Sequence, residues 1–280
     1  MDGGRARTLA AAVFLTALAN GAPCRAQAPP EPSPPAPSPV EIQDDQPVRG
    51  GKDRTFRAEL RREFTSRGTP DETTKTTVRL TAYLRGAVSQ LRLDLPFPDA
   101  ETDFSGNITE PRLGDVKLRT TFRDLRAGTL ALSTFLEMTF PTANPTSLGS
   151  GKYQVSAGAR TVVPFTLGET PPVSHRLTFR PLVQQYVSVA GDPDYKDINN
   201  TRLQVGLRDT WRKKGWFGAT LKTTVDWVQD GATGAVGEVE VGAFLGRVLS
   251  VWVIGGARLW GGSVPGTYDH RVSIAMAGDF

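Results

Sequence analysis

From Lys52 to Phe280 the chain alternates apolar and polar residues in segments of 9–16 residues separated by turn-rich pieces. After the leader, no stretch approaches the roughly 18 consecutive apolar residues that a spanning helix needs. A period of two is the mark of strands with two unlike faces. Antiparallel strands of this kind build either a soluble sandwich or a closed barrel, and only the barrel crosses a bilayer, because it pairs every backbone N–H and C=O without an open edge. A hydrophobic fraction of 39% and a mean hydropathy of -0.28 do not argue against the barrel, since half of each strand faces a polar lumen.

The segments predict strands near 53–66, 74–85, 88–97, 114–125, 129–140, 152–164, 175–189, 199–212, 216–229, 235–245, 248–260 and 268–280. That is twelve, with ten the alternative count, and an even number puts both termini on the periplasmic side. Alternate connections should then be short, and Arg85-Gly86-Ala87, Arg126-Ala127-Gly128, Lys213-Lys214-Gly215 and Gly246-Arg247 are all tight. The intervening ones, 98–113, 141–151, 190–198, 230–234 and 261–267, are longer and rich in Gly, Pro, Asp and Asn, as extracellular loops are. Segment 165–174 is long for a periplasmic turn.

Facing follows from parity. In 129–140 the outward set is Leu130, Leu132, Thr134, Leu136, Met138 and Phe140, against inward Ala131, Ser133, Glu137 and Thr139. In 216–229 it is Phe217, Ala219, Leu221, Thr223, Val225 and Trp227, against inward Thr220, Lys222, Thr224 and Asp226. A sandwich would alternate as well, but it would concentrate its aromatics mid-strand. Here Phe64, Phe97, Phe140, Tyr153, Trp227 and Tyr268 fall near outer strand ends, and Phe122, Phe165, Trp211, Phe217 and Phe280 near inner ends. Two aromatic girdles suit the two lipid–water boundaries.

The leader sets the compartment. Arg5 and Arg7 precede an apolar run from Leu9 to Ala19 and then small residues, the pattern of a signal peptide over residues 1–26, with cleavage after Ala26 because Pro29 disfavours a cut after Ala28. Pro23 before Cys24 argues against a lipoprotein, so the mature chain is expected to hold no cysteine. Losing Arg5, Arg7, Arg25 and Asp2 lowers the formal charge from +4 to +2, and no basic run marks a nucleic-acid surface. Residues 27–51 open with a Pro-rich run that reads as an extended tether, either periplasmic or entering the lumen as a partial plug. Residues 52–280 are the barrel, and the location is the outer membrane of a Gram-negative bacterium.

The last strand sharpens this. Val272, Ile274, Met276 and Phe280 share one parity with Gly278 between them, while Arg271, Ser273, Ala275, Ala277 and Asp279 share the other. The segment resembles the C-terminal signal by which outer-membrane proteins engage the barrel assembly machinery. Upstream, Leu113-Gly114-Asp115, Phe140-Pro141-Thr142 and Leu148-Gly149-Ser150-Gly151 resemble the outer-membrane family named for the meta-pathway of phenol degradation, over residues 113–165, with Ala143 where that family usually has Gly. The resemblance implies a channel or transporter associated with uptake of aromatic or other small compounds, and carries over no catalytic residue. The same pieces also serve as plain loop punctuation.

Function should be written in the lumen. Inward basic positions are Arg57, Arg61, Arg79, Arg92, Lys117, Arg119, Arg123, Arg160, Arg176, Arg180, Arg202, Arg208, Lys222 and Arg258; inward acidic ones are Glu59, Glu63, Asp94, Asp115, Glu137, Asp226, Glu238 and Glu240. The excess of basic groups favours anionic solutes such as aromatic carboxylates. The alternative is that cross-strand pairs brace the wall and neutralise one another. Twelve strands give a narrow pore, which inward Phe135, Leu182, Phe244, Trp252 and Ile254 constrict unless they pack against residues 27–51 or break the parity.

Enzymatic chemistry has little to stand on, and neither a cofactor nor a metal is expected. His175 and His270 should lie on opposite sides of the membrane, and no hydrolase signature accompanies Ser263, Tyr268, Asp269 and His270. Asp192, Asp194 and Asp197 share one loop and read as solvated turn residues, with a divalent ion or lipopolysaccharide as the alternative partner. The remaining class, a structural or adhesive barrel, would need longer loops than most of these.

Overall fold

Each alternating segment forms a strand in the computed structural model, which describes residues 55–66, 73–99, 112–127, 130–143, 149–165, 175–211 and 214–280. The expected signal peptide (1–26) and Pro-rich segment (27–51) lie outside the described residues. The strands are β1 (Phe56–Thr65), β2 (Thr73–Tyr83), β3 (Val88–Pro98), β4 (Val116–Phe122), β5 (Leu125–Ala127), β6 (Leu130–Phe140), β7 (Lys152–Phe165), β8 (His175–Gly191), β9 (Asn199–Trp211), β10 (Gly215–Asp226), β11 (Ala232–Leu245), β12 (Leu249–Trp260) and β13 (His270–Asp279). β4 and β5 both pair with β6 and are two halves of one strand, broken where Asp124 accepts a hydrogen bond from Ser133 Oγ at 2.5 Å. The wall therefore has twelve antiparallel strands, the expected number.

The sheet closes on itself. β1 pairs with β13 from Arg57↔Asp279 to Thr65↔Arg271, and β4 pairs with β6 from Val116↔Phe140 to Thr121↔Phe135. Phe280 completes the seam: its N–H donates to the Phe56 carbonyl at 2.8 Å, and its own carbonyl accepts from Thr55 at 2.9 Å. Apart from the three-residue β5, which pairs with β6, every strand is paired on both sides, the condition for stability inside a bilayer.

Both chain ends of the barrel lie at one rim, here the terminal rim, which also carries the connections 84–87, 128–129, 166–174, 212–214 and 246–248. The opposite rim carries 66–72, 99–115, 141–151, 192–198, 227–231 and 261–269. Two boundaries differ from expectation. Arg126 and Ala127 belong to β5 rather than to a turn, and the 230–234 loop is instead a tight turn after Asp226. That turn forms early because Asp226 accepts from the Val228 N–H at 3.0 Å and from Gln229 Nε2 at 2.6 Å.

The predicted parity holds around the wall. Leu60, Leu91, Leu136, Met138, Leu203, Val205, Leu207, Leu221, Val239, Val241, Val253, Val272, Ile274 and Met276 are all exposed on the outside. A monomeric protein in water rarely shows a contiguous apolar patch above a few hundred Å², and this band encircles the molecule. Aromatics mark its borders, with Tyr153, Trp227 and Trp260 exposed toward the opposite rim and Phe56, Phe165, Phe217 and Phe280 toward the terminal rim. Trp260 reaches the outside through a bulge in β12, where Ala235 pairs with Trp260 and Val236 with Arg258. The ring of Phe280 lies over Gly278, so the gap in the outward row of β13 is filled by the last side chain. Tyr268 corrects the expected outer girdle. It is buried, donates its hydroxyl to Glu238, and lies with its ring 4.6 Å from the Arg271 guanidinium.

The three motif pieces between 113 and 151 meet at the opposite rim. Asp115 accepts from the Ser150 N–H at 2.5 Å, from Ser150 Oγ at 2.7 Å and from the Ala143 N–H at 3.3 Å. Thr142 Oγ1 accepts from the Val116 N–H at 3.0 Å and donates to the Gly114 carbonyl at 2.9 Å. Gly149 leaves the room that Asp115 and Ala143 occupy. The motif is thus a polar latch between the β3–β4 and β6–β7 connections, in agreement with its reading as loop structure.

Candidate functional site

The inward parity builds a wall of charge. Among the described residues twelve Arg and Lys are buried, against nine Asp and Glu. Across β1, β2, β3, β4 and β6 they form one continuous chain. Arg61 pairs with Glu59 at 2.7 Å, and Arg79 with Glu59 at 3.6 Å and Asp94 at 2.9 Å. Arg92 then pairs with Asp94 at 3.2 Å and Glu137 at 3.1 Å, and Arg119 Nε with Glu137 at 2.8 Å. Cross-strand register explains the sequence of partners, since Glu59↔Arg79, Arg79↔Asp94 and Arg119↔Glu137 are direct neighbours.

A second group joins the seam to β10 and β11. Glu63 takes Lys75 at 2.9 Å and Arg271 at 3.6 Å, while Glu238 takes Lys222 at 2.6 Å together with Arg271 and Tyr268. Nearer the terminal rim, Arg57 pairs with Asp279 at 3.2 Å and Arg208 with Glu240 at 2.8 Å. The Arg57 and Arg208 guanidiniums lie 5.8 and 5.7 Å from the rings of Trp252 and Trp216.

The wall from β7 to β9 differs. Its inward positions carry Lys152, Arg160, Arg180, Arg202 and Arg208 and no Asp or Glu. Between the arginines stand Gln154, Ser156, Gln184, Tyr186, Asn200 and Gln204. Gln184 Nε2 donates to Ser156 Oγ at 2.7 Å, and the Arg202 guanidinium sits 5.4 Å from the Tyr186 ring.

Apolar side chains narrow the lumen in two places. Phe135 packs with Leu182, its ring against Gly158 of β7 and under the Arg119 guanidinium at 4.5 Å. Near the terminal rim Trp216, Trp252, Ile254, Ala275 and Ala277 cluster with Phe244, and the Trp216 ring occupies the space that a side chain at Gly242 would need. All of the bulky residues expected to point inward do so.

The predicted solute-facing residues distribute unevenly. Arg57, Arg61, Arg79, Arg92, Arg119, Arg160, Arg208 and Lys222 are buried in the wall, and Arg180 is half-buried. Arg258 is exposed at the opposite rim, paired with Asp269, and Arg123 and Arg176 are exposed as well. Lys152, Arg271, Asp279 and Tyr268 belong to the network without having been singled out. The first three lie on the inward parity already read for their strands, whereas Tyr268 was read outward from an expected strand over 268–280 that opens only at His270. His270 opens β13 at the opposite rim and His175 opens β8 at the terminal rim, so the barrel keeps them apart. In the 192–198 connection, Asp197 pairs with Lys152 at 3.1 Å, and Asp192 accepts from the Asp194 N–H at 3.0 Å.

No protein-family model matches the chain, and no curated protein matches it. Solved structures do. An outer-membrane channel from Pseudomonas putida F1 is similar over 86% of this chain and 100% of its own, with 15% identity and a TM-score of 0.60. The KdgM porin in complex with disordered oligogalacturonate is similar over 80% of this chain and 99% of its own, at 8% identity and a TM-score of 0.54. The NanC porin covers 80% of this chain and 100% of its own, at 6% identity and a TM-score of 0.53. At such identities the likeness establishes the fold, an outer-membrane type of β-barrel.

Proposed function

We propose that the chain is a channel of the Gram-negative outer membrane that passes small carboxylate solutes through a narrow, positively biased lumen. One observation carries the reading: a closed barrel, apolar outside and charged inside, with twelve buried Arg and Lys against nine buried Asp and Glu among the described residues. The apolar band needs lipid, and the short strand connections 84–87 and 246–248 at the terminal rim support periplasmic termini. Lipid and lipopolysaccharide surround the band, and β13 with Phe280 is the segment the barrel assembly machinery engages. An excess of one sign in a confined low-dielectric space raises the local concentration of counter-ions, here anions. The similar folds belong to channels and porins, one of them holding an acidic oligosaccharide, which supports the reading. Aromatic or other small compounds are the solutes implied by the family resemblance, the basic excess favours carboxylates among them, and the Phe135–Leu182 pair beside Arg119 offers an aromatic ring a contact.

Planar-bilayer recordings of the refolded protein test this. Ohmic steps with a reversal potential on the anion side are expected in a KCl gradient. Cation preference would remove the anionic part of the reading. Absence of conductance, both in the full chain and in one lacking residues 27–51, would remove the channel and leave a braced structural barrel, the reading favoured by the ion-pair chain from Glu59 to Glu137.

A further inference from the structure

The two rims carry unlike exposed charge. At the terminal rim Arg85, Arg123, Arg176, Lys214 and Arg247 are exposed, and among the described residues no Asp or Glu is exposed there. At the opposite rim Asp192, Asp194, Asp197 and Asp230 are exposed alongside Arg112, Lys196 and Arg258. None of the five terminal-rim cations forms an ion pair with another described residue, whereas Arg258 is held by Asp269.

Neighbouring strands gather these cations. The Phe244 N–H donates to the Lys214 carbonyl at 2.8 Å, which sets Lys214 beside the 246–248 turn that carries Arg247. On the other side Trp211 pairs with His175, so Arg176 stands at the same level. Strands lie about 4.8 Å apart, which puts Lys214 within about 10 Å of both neighbours along the rim. Arg85 and Arg123 form a second group, since the Arg123 N–H donates to the Ala87 carbonyl at 2.8 Å. Like charges gathered without counter-ions repel one another, and an anionic partner relieves that repulsion.

Their surroundings name the partner. Arg247 stands between exposed Leu245 and Val248, Arg85 follows exposed Leu84, and Arg123 comes two residues before exposed Leu125. The girdle of Phe56, Phe165, Phe217 and Phe280 lies at the same rim. Long basic side chains beside an apolar and aromatic border reach the level of lipid headgroups, where a phosphate meets them. A soluble acidic partner would have no use for the apolar neighbours.

We propose that the terminal rim is a binding surface for anionic phospholipid headgroups, of the phosphatidylglycerol kind, in the leaflet that adjoins it. The phosphates sit among Arg176, Lys214 and Arg247 and between Arg85 and Arg123, and the acyl chains lie on the girdle. This rests on the membrane placement of the barrel given above and not on conduction through it. Each cation near an anionic lipid surface strengthens the attraction about fivefold.

The test is native mass spectrometry of the full chain, refolded in micelles that hold phosphatidylglycerol and phosphatidylcholine with the same acyl chains in equal amounts. Phosphatidylglycerol is expected to be retained roughly tenfold or more over phosphatidylcholine. Arg176→Gln, Lys214→Gln and Arg247→Gln together should cut that ratio about fivefold or more, while Arg112→Gln with Lys196→Gln at the opposite rim should leave it within about twofold. Equal retention of the two lipids by the wild type would overturn the proposal without any variant having to fold. A ratio that ignores the terminal-rim substitutions, or that falls equally with both sets, would overturn it as well. A preference that emerges only when residues 27–51 are removed would overturn it in favour of Glu41, Asp44 and Asp45 of the chain itself as the occupant. A chain that forms no heat-modifiable barrel in either lipid would sink the membrane reading itself, whereas lipid preference without conductance would remove only the channel.

Discussion

The lumen wall has two unlike parts. From β1 to β6, basic and acidic side chains alternate from strand to strand, and the carboxylates of Glu59, Asp94 and Glu137 each touch two guanidiniums. From β7 to β9 the basic side chains stand among amides and hydroxyls, with no carboxylate on the inward parity. Both parts obey the same period of two, so inward charge by itself does not reveal its job. The neighbouring strand makes the difference visible: Arg79 and Arg119 stand directly across from Asp94 and Glu137, whereas Arg202 stands across from Gln184 and Arg160 across from Leu182.

The largest effect should follow from removing the centre of the braced part. Glu137 is almost wholly buried and neutralises Arg92 and Arg119 together, so Glu137→Leu removes the carboxylate they share and leaves Arg92 with Asp94. Breaking a buried pair in this way costs about 3–5 kcal/mol. Gln184→Met in the other part removes one hydrogen bond, to Ser156, and should cost about 1 kcal/mol. Urea unfolding of the refolded proteins in detergent micelles, followed by heat-modifiable gel mobility, measures both. Equal costs would dissolve the distinction between the two parts.

Where the parts meet, Phe135 of β6 lies on Gly158 of β7, its cross-strand neighbour. A Cβ at position 158 would fall 2.2 Å from Cζ at the tip of the phenyl ring, so Gly158→Val must push Phe135 aside. Overpacking of this kind costs about 1–3 kcal/mol. Adding Phe135→Ala to Gly158→Val should recover part of the loss, because the two side chains compete for one volume. The same urea series, run as a double-mutant cycle, reports the coupling, and strict additivity would show that the ring does not need the glycine.

Much of this architecture was legible because a barrel strand repeats one rule. Parity placed the outward row of β13 and the inward row of β1 correctly, and turn residues separated neighbouring strands nearly to the residue. Tyr268 escaped because it stands two residues before β13, where no period applies and the Glu238 carboxylate draws its hydroxyl inward. Trp260 escaped because a bulge shifts the count by one. The division of the lumen was harder still. It depends on which inward residues are cross-strand neighbours, and a one-residue change in register exchanges every partner. The latch around Asp115 was visible as three short motifs, but their meeting point depends on closure of the whole wall.

The smallest expected effect concerns Arg160, on the carboxylate-free part. It stands across from Leu182 on β8 and Ser133 on β6, neither of them charged, and its own charge adds to the field in the lumen. Arg160→Gln should lower the anion-to-cation permeability ratio about twofold at 0.1 M KCl, the order expected for one charge acting through water over several ångströms. At 1 M KCl the Debye length falls to about 3 Å, and the difference from wild type should vanish. Reversal potentials at the two salt concentrations make the measurement. A change in permeability that persists at high salt would mean that Arg160 shapes the pore sterically, and the contrast between the two parts of the wall would then be one of form rather than of charge.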